Sequence, residues 1–140
     1  MKFLLDASIW PILLSPVIGI AVGIVWYGPL FGKIWMNYVG FEEADRETMQ
    51  ESAGPSYLIT VVTALIFGYA MELIITLVTR AGVSGLGSFI VLSIIIWLGI
   101  QISTGVKPVL WEDKPKALIL INGGNELVTI ILVTVAAYYL

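Results

Sequence analysis

In the stretch INGGNELVTIILV (residues 121–133), Asn122, Asn125, Glu126 and Thr129 stand at i, i+3, i+4 and i+7. On an α-helix these four side chains share one face. A carboxylate beside amides and a hydroxyl can carry a proton, hold a cation, or accept hydrogen bonds from a neighbouring helix. The flanking residues are otherwise fit for lipid. A charge near the centre of a bilayer costs about 3 kcal/mol on insertion scales unless it is neutralised, paired or hydrated. Glu126 lies about 13 Å into its helix at ~1.5 Å per residue, too deep for its short side chain to reach bulk water. It is therefore expected to face other helices or a subunit interface.

The residues best placed to join it come from the preceding apolar stretch, where Gln101, Ser103 and Thr104 gather at one end with Gly99 and Gly105. Gln101 and Asn122 each fall roughly 8 Å from the same boundary, so antiparallel neighbours bring their amides to one depth. By the same reckoning Lys107 is the nearest basic group in depth. A second carboxylate, Glu72, belongs to a stripe repeating every fourth residue: Ser56, Thr60, Ala64, Gly68, Glu72, Thr76 and Arg80. Glu72 sits about 10 Å from the end of its helix, and a Glu72–Arg80 pairing across an interface is expected. Ser15, Gly19 and Gly23 form a similar stripe, and small residues at that spacing let another backbone approach closely. Either the chain's own helices or a second copy could use that groove.

Other chemistry is excluded by composition. The 140 residues include no cysteine and no histidine. Disulfides, thiolate nucleophiles, ordinary zinc sites and imidazole bases are thereby removed, and neither a metal, a cofactor nor an enzymatic activity is expected. The formal charge of −3 lacks the basic footprint of a nucleic-acid binder. The acidic run Glu42, Glu43, Asp45, Glu47 and Glu51 does not have calcium-loop spacing and reads as a solvated, partly helical surface segment.

The elements that must position these groups follow from hydropathy. Residues are 59% hydrophobic and 12% charged, with mean hydropathy +0.97, where a soluble domain carries about 25% charge. Lipid is the solvent implied. Apolar runs near 9–28, 56–79, 85–106 and 117–138 are each long enough to cross a ~30 Å hydrocarbon core as helices. They lack the two-residue alternation of a barrel strand. The opening run is too long for a signal peptide, and Asp6 interrupts its start. The expected fold is an all-α integral membrane bundle of four transmembrane helices in one domain, residues 1–140. RAGVS (80–84) is a tight turn that should make helices two and three an antiparallel hairpin. PLFGKIWMNYVGF (29–41), with Trp35, Tyr38 and Phe41, suits a short amphipathic segment at the lipid–water interface.

Lys33, Arg46, Lys107, Lys114 and Lys116 lie in the connections 29–55 and 107–116, whereas Lys2 and Arg80 lie on the opposite side. The positive-inside bias places those two loops in the cytoplasm and both termini outside a cell membrane crossed several times.

The motifs WYGPLFGKIWM (26–36), GPSYLIT (54–60) and INGGNELV (121–128), in this order on a four-helix chain, resemble the bacterial membrane family catalogued as domain of unknown function 1761. The resemblance runs over nearly the whole chain. It implies a small polytopic protein of the cytoplasmic membrane, with no assigned activity and no established cofactor. Relatives often carry an aromatic residue and a histidine where this chain has Asn125 and Glu126, so a proton-bearing side chain recurs there in another chemical form.

For function, the polar residues point to a channel- or transporter-like protein for protons, cations or a small solute, with Glu126, Asn122, Asn125, Gln101 and Glu72 along its path. The alternative left open is a structural or interaction protein that assembles with itself or with another membrane complex. There Ser15, Gly19 and Gly23 and the polar groups serve helix packing. The lipid bilayer is the one partner common to both readings.

Overall fold

A computed structural model describes residues 8–41 and 54–140. Among them the order is α1 (Ile9–Val25), α2 (Gly32–Val39), α3 (Gly54–Arg80), α4 (Leu86–Ile100), α5 (Lys107–Trp111) and α6 (Ala117–Tyr139), with no strand. Two π-helical turns, Trp26–Leu30 and Gln101–Gly105, continue α1 and α4. Counting those turns, four segments are long and apolar enough to cross a membrane: Ile9–Leu30, Gly54–Arg80, Leu86–Trp111 and Ala117–Tyr139. The eight-residue α2 follows the first of them. The acidic run from Glu42 to Glu51 lies outside the described residues.

The prolines of α1 are accommodated for identifiable reasons. Pro11 falls in the first turn, where a missing N–H costs nothing. Pro16 lies inside the helix and leaves the carbonyl of Ile12 without its usual donor. The Ser15 hydroxyl supplies one, at 2.8 Å from Ile12 O, and lies 2.6 Å from Ala64 O of α3. One hydroxyl proton thus sits between the carbonyls of two helices, and Ser15 is fully buried there. Pro29 falls in the first π-helical turn, which closes with the Phe31 N–H on Trp26 O at 2.8 Å.

Helix α6 is the hub: it packs against α1, α3 and α4, and α1 packs along α3. Cross-helix pairs fix the directions. Ser8 meets Glu72 and Ser15 meets Ala64, so α1 and α3 are antiparallel. Trp26 meets Ile121 and Ser8 meets Leu140, so α1 and α6 are antiparallel as well. Ser93 meets Thr134 and Gln101 meets Glu126, which makes α4 antiparallel to α6. The tight turn does reverse the chain between α3 and α4, with Gly82 and Gly85 at φ +90° and +93°, where a β-carbon would be strained. The expected antiparallel hairpin is there, but its two arms do not pack on each other. Helices α3 and α4 hardly touch: α3 packs against α1 and α6, and α4 against α6. A short turn dictates reversal of direction, but which faces pack is decided by side chains further along.

The core is small and central: Met71, Ile130 and Val133, surrounded by Ile18, Phe67, Ile74, Ile96, Trp97, Leu127 and Ile131. Beside it Ser93 and Thr134 share a 2.6 Å hydrogen bond, and their hydroxyls also lie 2.8 Å from Phe89 O and 2.7 Å from Ile130 O. Outward faces carry large apolar side chains such as Leu58, Ile66, Ile95 and Leu120, all exposed, as lipid contact requires.

Candidate functional site

The geometry gathers at the end of the bundle that holds both π-helical turns. Each turn begins with residues that reach the INGGNE stretch of α6. Trp26 donates its indole N–H to Ile121 O at 2.8 Å, and the Tyr27 hydroxyl donates to Asn122 Oδ1 at 3.0 Å. Gln101 opens the second turn and donates its amide Nε2 to Glu126 Oε2. Trp97, one turn earlier, donates to Gly123 O at 2.8 Å. Wide helical turns of this kind re-aim side chains that a straight helix would send elsewhere.

The two glycines of INGGNE make room for this convergence. A β-carbon on Gly123 would stand 2.9 Å from Gln101 Oε1 and 3.1 Å from its Cδ. On Gly124 it would stand 2.7 Å from Trp26 Cζ2. One glycine therefore faces α4 and the other α1, so the helix is thin on two sides at the level of the polar cluster.

Gln101, Asn122 and Glu126 line one recess of about 220 Å³, with Thr104, Gly105, Pro108, Lys114 and Leu118 among its walls. Gln101 is buried, whereas Glu126 is exposed at the edge of the recess. The basic group at this recess is Lys114, not Lys107. The break after α5 returns the chain over the recess, which depth arithmetic along a straight helix does not foresee. Asn125 is absent from that lining, and its Nδ2 is buried without a hydrogen-bond partner. The Thr129 methyl lies 4.0 Å from a β-carbon built on Gly19 of α1, ordinary contact. The four residues on one helical face are thus divided between two neighbours.

Glu72 belongs to the opposite end. It is buried, and its Oε1 accepts the Ser8 N–H at 3.1 Å while Oε2 has no partner. It lines a separate recess of about 380 Å³ with Thr76, Thr79, Arg80, Phe89 and Tyr138. Glu72 and Arg80, expected to lie together, both line that recess. The small-residue stripe of α1 resolves unevenly. Ser15 meets Gly68, where an added β-carbon would fall 2.7 Å from Ser15 Cβ and 3.2 Å from Ile12 Cα. A β-carbon on Gly23 would meet nothing within 4 Å. Close helix approach is therefore concentrated at Ser15–Gly68. No group of three or more acidic metal-ligand residues occurs among the described residues.

Tyr27, Trp26, Trp97 and Lys114 complete the site and were not assigned to it from the sequence. The signal for the first two was the WYGP tetrapeptide, an aromatic pair just ahead of a proline that disturbs the helix. For Lys114 no sequence signal existed.

Fold and site together define a four-helix integral membrane protein with a polar cluster set into its central helix. The model of the family described as Protein of unknown function (DUF1761) matches residues 10–138, and the chain belongs to that family. No curated protein and no solved structure matches it.

Proposed function

We propose that this protein is a channel- or transporter-like protein for protons, cations or a small solute, with Glu126 as the group that takes up and releases the transported charge. The supporting observation is that the Glu126 carboxylate, more than two turns into a spanning helix, lines an open recess with Gln101, Asn122 and Lys114. Intramembrane carboxylates facing a cavity mark ion and proton routes. Met71, Ile130 and Val133 lie between this recess and the one at Glu72. An apolar plug between two polar recesses suits a carrier that alternates its access better than an open channel. The lysine and arginine content of the connections 29–55 and 107–116 favours the cytoplasmic side for both, and in that orientation the Glu126 recess opens inward.

The test is flux in proteoliposomes under imposed proton, sodium and potassium gradients. Wild type should conduct at least one of them. Glu126→Gln keeps the shape, so it should fold and abolish that flux. Wild type silent under every gradient, with Glu126→Gln merely more stable, would sink this reading. One observation favours the alternative of a structural or interaction protein: Glu126 already accepts a hydrogen bond from Gln101. Under that reading the same variant changes oligomer size or melting temperature and no flux exists to lose.

A further inference from the structure

The recess at the opposite end has a composition of its own. Glu72 is 6% exposed, and its Oε2 is buried without a donor. A carboxylate oxygen deprived of water and of a partner is costly, and native structures seldom tolerate one. The recess that Glu72 lines also holds the hydroxyl-bearing Thr76, Thr79 and Ser84 and the rings of Phe89 and Tyr138, whose centroids lie 5.7 Å apart. We propose that this recess is a binding site for a small organic ammonium ion, with Glu72 as its counter-charge and Phe89 and Tyr138 as its aromatic wall.

Three features select that chemistry. A buried carboxylate oxygen lacking a donor calls for a cation or a hydrogen-bond donor. Aromatic faces attract ammonium groups, methylated ones included, more than they favour neutral solutes. At about 380 Å³ the recess is far larger than a bare sodium or potassium ion and fits an organic cation of a few carbons. Because Oε1 alone accepts the Ser8 N–H, a ligand donor that reaches Oε2 leaves that bond in place. Among the described residues that line the recess Glu72 is the one carboxylate, which suits a single small cation and disfavours polyamines. The inference concerns binding at equilibrium and holds whether or not any solute crosses the membrane.

The experiment is calorimetric titration of the full-length protein in lipid nanodiscs with methylammonium, tetramethylammonium and spermidine, at constant ionic strength set by sodium chloride. Saturable binding of methylammonium or tetramethylammonium is expected in wild type and in Gly23→Ala, whose added methyl meets nothing within 4 Å. Glu72→Gln should weaken it at least about tenfold, since the ligand charge loses its partner. Should Glu72→Gln fail to fold, Thr76→Met serves instead, filling the recess from its wall with the carboxylate intact, and should also abolish binding. Absence of saturable binding by both monovalent ammonium ions overturns the proposal. So does binding that survives Glu72→Gln or Thr76→Met in a folded protein, or spermidine binding more tightly than either. Loss of binding in a folded Gly23→Ala as well would show that the recess does not hold the ligand and overturns it too.

Discussion

Trp26 and Trp97 approach the central helix from two neighbouring helices and donate their indole N–H groups to Ile121 O and Gly123 O, both at 2.8 Å. Each carbonyl oxygen has two lone pairs, so it can accept an indole while keeping its bond within the helix. The two rings clamp α6 at the level of Gln101 and Glu126. Gly123 and Gly124 give them and Gln101 the space to do so.

That clamp predicts different outcomes for two adjacent substitutions. Gly124→Ala puts a methyl 2.7 Å from the rigid Trp26 ring. Relief requires helix or ring movement, and overpacking of this kind costs about 1–3 kcal/mol. Gly123→Ala meets the end of the flexible Gln101 side chain, which can swing away at less cost but then leaves Glu126. Thermal unfolding in detergent should rank Gly124→Ala below Gly123→Ala, and Gly123→Ala should alter any flux more than it alters stability. The opposite ranking would show that α6 is not held by Trp26.

Packing between α1 and α3 rests on Ser15 and Gly68. Gly68→Ala drives a methyl into Ser15 Cβ and against the Ile12 backbone, neither of which can turn aside. A loss of about 1–3 kcal/mol is expected, read as a fall in melting temperature or in midpoint of denaturation. Gly23→Ala meets nothing within 4 Å and should be neutral or slightly stabilising. A destabilised Gly23→Ala would instead reveal an interface with a second copy along that face.

The four spans were legible because crossing a bilayer demands long apolar runs, and length and hydropathy alone set their number and their places. The neighbours of each span were not. Helices such as α4 (LGSFIVLSIIIWLGI) are apolar nearly all round, so periodicity does not say which face is buried. The joining of Gln101, Asn122 and Glu126 was recoverable, since depth along antiparallel helices is simple arithmetic. Lys114 was not, because its place depends on a break in the chain after α5. Gly123 and Gly124 could have been noticed as a pair, but their separate duties depend on which helix lies opposite each.

Orientation can be read directly, since the chain has no cysteine of its own. A single cysteine at Ser52, in the long connection, should be shielded from membrane-impermeant thiol reagents in intact cells. One at Ser84, in the turn before α4, should label. The reverse pattern would overturn the positive-inside assignment and make the Glu126 recess open outward.

Gln101 and Glu126 supply the last prediction, because their hydrogen bond can be separated from any transport. Gln101→Leu removes the donor and leaves the carboxylate more poorly satisfied. Inside a spanning segment there is little water to replace the lost donor, so a cost of about 1–3 kcal/mol is expected. Adding Glu126→Leu removes the unsatisfied carboxylate as well, and replacing both partners of a hydrogen bond by apolar groups is often neutral or stabilising. The double variant should therefore recover wild-type stability or exceed it, with a favourable coupling in the double-mutant cycle. Under the transport reading the double variant carries no flux although it is the more stable protein, because the group that holds the charge is gone. Stability and flux then move in opposite directions, the usual mark of a residue retained for activity at a cost in stability. Should the double variant be no more stable than Gln101→Leu alone, the carboxylate contributes to the fold through contacts other than Gln101. Should it keep wild-type flux, Glu126 is not the charge-bearing group and the path lies elsewhere in the bundle.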